Sequence, residues 1–255
     1  MNNPDEFYIG WEAKAAPGVR KSVRKIAIGL FLFVAALASC LAVAQSLIGA
    51  SFFEWGTQKN FTGILQAHPY PHLLVSRPGV IGVATNASAY YLVAQWKHGL
   101  AADVLKPLDG KRVDVKGTLI YRGSQTMIET KAEWITPATN SMSVQDLPAS
   151  ISLGRQTLVG EIVDSKCFLG VMNPGQLAPH RACAIRCISG GVPPMFFVRQ
   201  KSGPPLHLLL VSSDGKPVNQ QVLDLVAEPV EITGEVERQG ELLILRADPV
   251  TYRKL

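Results

Sequence analysis

Residues 109–123 read DGKRVDVKGTLIYRG, and residues 227–240 read AEPVEITGEVERQG. In both stretches apolar and polar residues alternate up to a glycine, and a short hairpin then turns at Arg-Gly or Gln-Gly. Such alternation predicts half-buried β-strands, because successive side chains of a strand point to opposite faces. Gly117 and Gly234 occupy matching positions, so the chain contains an internal repeat.

The repeat also extends towards the N-terminus. Gly63 in FTGIL matches Gly160 in LVGEI, and the second copy is longer between its glycines by about 20 residues. Each copy has a short run with helical apolar spacing before its last hairpin, at 100–108 and 222–226. Five short strands with a small helix between the third and the fourth predict a closed antiparallel barrel of the OB type. A single larger sandwich of the same strands is the alternative.

The segment Ile26–Ala44 contains 19 residues and no charge. At ~1.5 Å per residue this length covers roughly the ~30 Å hydrocarbon layer of a membrane. The next charge is Glu54, whereas four basic residues come just before the segment: Arg20, Lys21, Arg24 and Lys25. This bias predicts a cytoplasmic N-terminus, an inner-membrane anchor and a periplasmic remainder. Cleavage as a signal peptide after Ala44, or as a lipoprotein signal before Cys40, is the alternative.

The sequence therefore predicts a mainly β protein with an N-terminal transmembrane helix and two tandem OB-like five-stranded barrels. The second barrel carries a short helical insertion with the Cys/His residues. The predicted ranges are 1–25 for a cytoplasmic tail, 26–50 for the transmembrane helix, 52–137 for the first barrel, 138–156 for a polar linker, 157–255 for the second barrel and 164–191 for its insertion.

The insertion contains three of the four cysteines of the chain. His180, Cys183 and Cys187 are spaced i, i+3 and i+7, and a proline before them and two glycines after them favour a short helix. In a helix these three side chains share one face. Cys167 is expected at the end of the first strand of the second barrel. Three thiolates and one imidazole are the ligands of a structural zinc site, and copper or iron is the next candidate.

Two other interpretations of the cysteines remain open. An exported chain normally has oxidised thiols, so Cys167 is expected to pair with Cys183 or Cys187 in a disulfide that leaves one thiol over. A catalytic thiol is the third interpretation.

Five further residues are secondary candidates at this site. Asp164 is expected either to accept from a histidine N–H or to cap the turn before Cys167. Arg181 and Arg186 flank the helical face and would offset thiolate charge. His68 and His72, in the sequence HPYPH, occupy the corresponding place in the first copy and could reach a shared site. A proline-constrained loop with exposed imidazoles is the simpler interpretation.

The sequence GEIVDSKC at 160–167, followed by HRACAIRC at 180–187, resembles a group of exported, membrane-anchored bacterial OB-like domains of unassigned activity. In that group a GxVxDxxC strand end precedes an HxxCAxxC helix. The resemblance covers about 157–255 and implies an exported OB-like fold rather than a particular chemistry. This chain differs by its first barrel, its anchor and a longer gap between Cys167 and His180.

Charge and composition argue against two classes of function, nucleic-acid binding and catalysis. The net charge of +5 is scattered, and an aromatic and basic strand face is lacking, so a nucleic-acid partner is not expected. The sequence offers no evident general base or carboxylate pair, so an enzyme is not the first expectation. We expect a metal-binding or redox-accessory protein that acts with other membrane proteins. An assembly or scaffold protein with a structural disulfide is the alternative, and a thiol oxidoreductase is the third.

Overall fold

The computed structural model describes residues 15–46, 50–76, 87–138 and 150–255. Three α-helices lie in these ranges: α1 (Pro17–Ser46), α2 (Ala102–Leu105) and α3 (Arg181–Ser189). The chain divides into two compact units, Met1–Gly49 and Ala50–Leu255. The first unit is built on α1, and the second contains every strand that the structure describes.

Helix α1 is long and apolar enough to cross a membrane over Pro17–Gln45. Apolar side chains such as Phe31 and Phe33 are exposed, as in a helix that contacts lipid or a partner rather than a soluble core. The helix begins at Pro17 and not at residue 26, because proline suits the first helical turn and the basic residues that follow are good helix formers. The predicted tail is thus helical in its last part, while residues 1–14 lie outside the described residues. Such a helix fits a membrane anchor or a signal sequence.

The first copy of the repeat forms a closed five-stranded barrel. The strands in chain order are β1 (Phe52–Phe53), β2 (Lys59–Gln66), β3 (His72–Ser76), β4 (Ala87–Val93), β5 (Arg112–Arg122), β6 (Gln125–Glu129) and β7 (Ile135–Pro137), and β2 to β6 form the barrel. Its third and fifth strands, β4 and β6, pair in parallel and β6 pairs with β5, which closes the sheet. Helix α2 and a 3-10 turn at Lys106–Leu108 lie between the third and fourth strands of the barrel, where the apolar spacing predicted a helix.

The second copy forms a closed barrel with the same strand order. Its third and fifth strands again pair in parallel, and its last two form the antiparallel hairpin predicted from the sequence. A 3-10 turn at Leu223–Leu225 replaces the short helix. The strands are β8 (Ser150–Asp164), β9 (Pro194–Val198), β10 (Leu206–Val211), β11 (Pro229–Gln239), β12 (Leu242–Arg246) and β13 (Arg253–Lys254). The prediction of a mainly β protein with two five-stranded barrels is confirmed.

Matching glycines have matching roles in the two barrels. A Cβ atom at Gly63 would overlap the carbonyl of Leu74, and one at Gly160 would overlap the carbonyl of Phe197. In each case the first strand of the barrel approaches the backbone of its neighbour too closely for a side chain. Glycine allows this approach where a strand bends to close a small barrel.

Strand β8 begins at Ser150, within the range predicted as linker. It pairs with β11 from Ser150 to Glu161, with an irregularity near Gly154, so the last part of that range belongs to the barrel sheet. This part of the range shows little periodicity in the sequence because the irregularity at Gly154, with φ of 78°, interrupts the strand alternation. Residues 139–149 lie outside the described residues.

The insertion packs between the two barrels. Phe168 and Leu169 are fully buried in one hydrophobic cluster with Tyr91 and Met127 of the first barrel and Met195 of the second. Each barrel also has a core of its own. The insertion therefore supplies a third core that joins the barrels, which the sequence did not indicate.

Candidate metal centre

Asp164 ends β8 and turns the chain out of the barrel. Its Oδ1 atom accepts a hydrogen bond of 2.7 Å from the backbone N–H of Cys167. A π-helical turn then runs over Cys167–Val171, so Cys167 lies just beyond the strand and not at its end. The capping carboxylate explains the difference, because it satisfies a backbone donor that the strand no longer pairs.

The helical half of the insertion begins with a 3-10 turn at Ala178–His180, which leads directly into α3. His180 is the N-cap residue of α3, and Cys183 and Cys187 follow on successive turns. The predicted helix over this segment is confirmed. Gly190 ends it by donating its N–H to the carbonyls of Arg186 and Cys187.

The three cysteines of the insertion converge. The Sγ atom of Cys167 lies 3.9 Å from that of Cys183 and 4.0 Å from that of Cys187. All three are free thiols, because a disulfide would bring two sulfurs to ~2.05 Å. Two zinc-bound thiolates, each ~2.3 Å from the ion in a tetrahedron, lie roughly 3.8 Å apart. The observed spacing therefore suits sulfurs that share a metal ion.

His180 is held by the same carboxylate that caps the turn. Its Nε2 atom lies 2.8 Å from Oδ2 of Asp164, and both side chains are buried. When Nε2–H donates to this carboxylate, Nδ1 is left as the free ligand atom. Both contacts expected of Asp164 are present at once.

The candidate ligand atoms form two overlapping groups, each with all its atoms within 4.8 Å of one another. One group contains Cys167, His180 and Cys183, and the other contains Asp164, Cys167 and Cys187. Cys167 belongs to both. The four residues predicted from spacing therefore surround Cys167, but Cys187 falls in a different group from His180 and Cys183.

Lys97 of the first barrel reaches the cluster, although no pattern in the sequence pointed to it. Its Nζ atom lies 2.6 Å from Sγ of Cys183 and 3.9 Å from Sγ of Cys187. An ammonium at this distance stabilises a thiolate. The hydrogen bond to Cys183 in turn raises the pKa of Lys97 above its usual value.

The thiols of Cys167 and Cys187 have opposite pKa shifts. A hydrogen bond from Cys167 lowers the pKa of Cys187, and the positive charge of Lys97 acts in the same direction. That hydrogen bond, burial and the nearby charge of Asp164 raise the pKa of Cys167. Of these two thiols, Cys187 is therefore the one on which a negative charge is more stable.

Of the two arginines predicted beside the cluster, Arg181 is engaged elsewhere. Arg181 forms an ion pair with Glu228 and donates to the carbonyl of Asp224 at 3.0 Å, so its charge is engaged away from the sulfurs. Arg186 is exposed on α3. The cation at the sulfurs comes instead from Lys97.

The two histidines of HPYPH do not join the cluster either. His68 is exposed, but His72 is buried in β3, which contradicts the expectation of two exposed imidazoles. Nδ1 of His72 lies 2.9 Å from the carbonyl oxygen of Tyr70, and Nε2 lies 2.7 Å from the side-chain oxygen of Gln66. Burial lowers the pKa of His72, and both of its ring nitrogens are engaged away from the cluster, so this residue is a core histidine and not a ligand.

A buried ion pair next to Cys167 also escaped the sequence argument. Lys166 Nζ lies 2.5 Å from Oε2 of Glu129, and both side chains are buried. The same ammonium donates to the carbonyls of Ala94 at 2.8 Å and Trp96 at 2.6 Å. Lys166 thus joins the insertion to two segments of the first barrel.

Comparisons with protein-family models, with curated proteins and with solved structures gave no significant match.

Proposed function

We propose that this chain is a membrane-anchored, extracytoplasmic accessory protein whose second barrel binds one thiophilic metal ion. Cys167, His180, Cys183 and Cys187 are the proposed ligands, and zinc is the first candidate, ahead of copper and iron. The protein is not proposed as an enzyme. It would serve a complex of other membrane proteins, either by holding a metal or by supporting redox chemistry.

The spacing of the sulfurs is the observation that supports metal binding most strongly. Separations of 3.9 and 4.0 Å from Cys167 are close to the edge of a zinc–thiolate tetrahedron. A histidine oriented by a carboxylate completes the usual environment of such a site. Zinc ranks first because it favours four-coordinate sites of sulfur and nitrogen.

The metal content of the intact chain tests this proposal. The Cys40→Ser variant is purified anaerobically in detergent, so that only the three thiols of the insertion remain. We expect about one metal ion per chain and three thiols that become reactive only after a chelator removes the ion.

A matched pair of histidine variants identifies the nitrogen ligand. His180→Ala should lose most of the bound metal during dialysis against a weak chelator, whereas His68→Ala, which changes an exposed imidazole, should retain it. Metal-free protein in which two of the three thiols have been lost to a disulfide would overturn the proposal. Equal retention by the two variants would remove His180 from the ligand set.

A scaffold role with a structural disulfide is the second candidate. Cys167 lies at nearly equal distances from Cys183 and Cys187, so either could become its partner after a small movement. The position of the insertion between the barrels favours this role, because a cross-link there would hold the shared core together. The thiol count described above separates the two candidates.

The anchor supports the proposed location. Helix α1 meets the length and the apolar character of a membrane span. The basic residues Arg20, Lys21, Arg24 and Lys25 lie at its N-terminal end, which by the positive-inside rule favours a cytoplasmic N-terminus. This orientation would put both barrels in the periplasm beside other membrane proteins.

A further inference from the structure

The loop Ala94–Gly99 of the first barrel contacts the cluster-bearing insertion beside each of its cysteines. The loop follows β4 and is closed by a hydrogen bond from the N–H of Ala94 to the carbonyl of His98, at 3.1 Å. Trp96 in this loop has φ of 60°, a conformation that a bulky residue adopts only when its surroundings impose it. The backbone of the loop thus has a defined conformation in contact with the insertion.

The first contact is next to Cys167. Lys166 donates from its ammonium to the carbonyls of Ala94 and Trp96, at 2.8 and 2.6 Å. This ammonium is buried and is neutralised by Glu129, also of the first barrel. The backbone of the loop is thus fixed to the residue that precedes Cys167.

The second contact is at Cys183 itself. Lys97 Nζ lies 2.6 Å from Sγ of Cys183, whereas it lies 3.9 Å from Sγ of Cys187. A divalent ion bound by three thiolates and a neutral imidazole leaves one negative charge on the ligand set. The ammonium of Lys97 lies against that charge.

The third contact is just after Cys187. The N–H of Gly99 donates to the carbonyl of Gly190 at 2.9 Å. A Cβ atom at Gly99 would overlap the backbone of Gly191, and a Cβ atom at Gly190 would overlap the carbonyl of Lys97. The two backbones are therefore in direct contact at the end of α3.

We infer that the conformation of loop Ala94–Gly99 is coupled to the metal site. A metal ion bound in the second barrel would then hold this loop of the first barrel in place. The inference rests on the proposed metal site and adds a consequence for the other barrel. Movement of any of the three cysteines displaces a contact that the loop makes. By reciprocity, anything that lifts the loop weakens metal binding by the same factor.

Hydrogen–deuterium exchange of the intact chain in detergent tests the inference. Zinc-loaded protein and chelator-treated protein are compared for peptides that cover Ala94–Gly99 and for peptides of β11. We expect the loop amides to exchange at least roughly fivefold faster without zinc, a factor typical of coupled sites. The β11 amides should change much less, because this strand belongs to the core of its own barrel.

Two lysine variants separate coupling from general loosening. Lys97→Met should still bind one zinc ion, but its loop should show a smaller difference between the loaded and the stripped states. Lys106→Met removes an exposed ammonium from the same barrel and should behave like the unchanged chain.

Each remaining outcome has a definite meaning. Zinc bound with equal loop exchange in both states would overturn this inference and leave the metal site intact. A Lys97→Met variant with undiminished coupling would overturn the role of Lys97 in the coupling. A chain that binds no zinc would overturn the inference together with the proposed function.

Discussion

Asp164 sets the geometry of the cluster, because its two oxygens hold two of the proposed ligands. Oδ1 accepts from the N–H of Cys167 and Oδ2 contacts Nε2 of His180, at 2.7 and 2.8 Å. In Asp164→Asn the amide oxygen can keep the bond to Cys167, but the amide NH2 cannot accept from His180. We expect metal affinity to fall about 10- to 100-fold, as for other partners of ligating histidines.

Competition with a chromophoric chelator measures this loss of affinity. Asp103→Asn is the matched control, since Asp103 is an exposed carboxylate of α2. An Asp164→Asn variant with the affinity of the control would show that Asp164 only caps the turn.

His207 gives the folded chain a dependence on pH. Burial lowers its pKa from 6.5 to about 4, and the charge of Arg122 acts in the same direction. The folded state thus keeps His207 neutral, whereas the unfolded chain takes up a proton below pH 6.5. The stability contributed by neutral His207 is complete above pH 6.5 and is lost as the pH falls towards about 4.

The variant His207→Phe should reduce this dependence. Phenylalanine can take the place of the imidazole, whose ring centroid lies 5.6 Å from Phe168 and 5.4 Å from Phe197. Urea unfolding of metal-free protein at pH 7 and at pH 5 measures the effect. The midpoint of the variant should fall less between these pH values than that of the unchanged chain, and an equal fall would contradict the assignment.

Among the elements, the insertion packs against both barrels. Its Lys166 pairs with Glu129 of β6, and both side chains are buried. Lys166→Met leaves a buried carboxylate without its partner, which costs about 3–5 kcal/mol in the free energy of unfolding. Urea unfolding measures the loss.

Two further variants show whether the ion pair causes that loss. Lys166→Met combined with Glu129→Gln should recover part of the stability, because no uncompensated charge is left. Lys201→Met, at an exposed position, should change stability by less than about 0.5 kcal/mol. A loss from Lys166→Met no greater than that from Lys201→Met would contradict the role of the pair.

The sequence was sufficient to predict the strands, the hairpins and the helix that carries the cluster. It was not sufficient to predict the contacts between the two barrels. Alternation into Gly117 and Gly234 predicted the barrel hairpins, and the i, i+3, i+7 spacing predicted the helix that carries Cys183. Such periodicity is local and therefore visible in one sequence. The contact of Lys97 with Cys183 joins residues far apart in the chain, and only the folded core brings them together.

The packing of the insertion could not be predicted from the sequence either. The comparison of the two copies showed about 20 additional residues in the second. The buried Phe168 shows that the insertion also fills the space between the barrels, where its ring stacks with Arg122 of the first barrel at 4.3 Å. A repeat comparison identifies an insertion but not the surface against which it packs.

For the whole molecule, the proposed topology predicts which side of the membrane carries the barrels. In a Gram-negative host, protease added to spheroplasts should digest the region Ala50–Leu255, whereas intact cells should protect it. Before protease is added, a tag at Met1 should be found in the membrane fraction on a band of full-length size, which would also show that α1 is not cleaved. Protection of the barrels in spheroplasts would contradict a periplasmic location.

X-ray absorption at the metal edge of the intact, anaerobically purified chain tests the central claim most directly. With zinc bound, the account predicts about three sulfur neighbours at about 2.3 Å and one nitrogen neighbour at about 2.0–2.1 Å. His180→Ala should remove the nitrogen signal and leave the sulfur signal. A shell of oxygen neighbours, or a chain that retains no metal, would contradict the account.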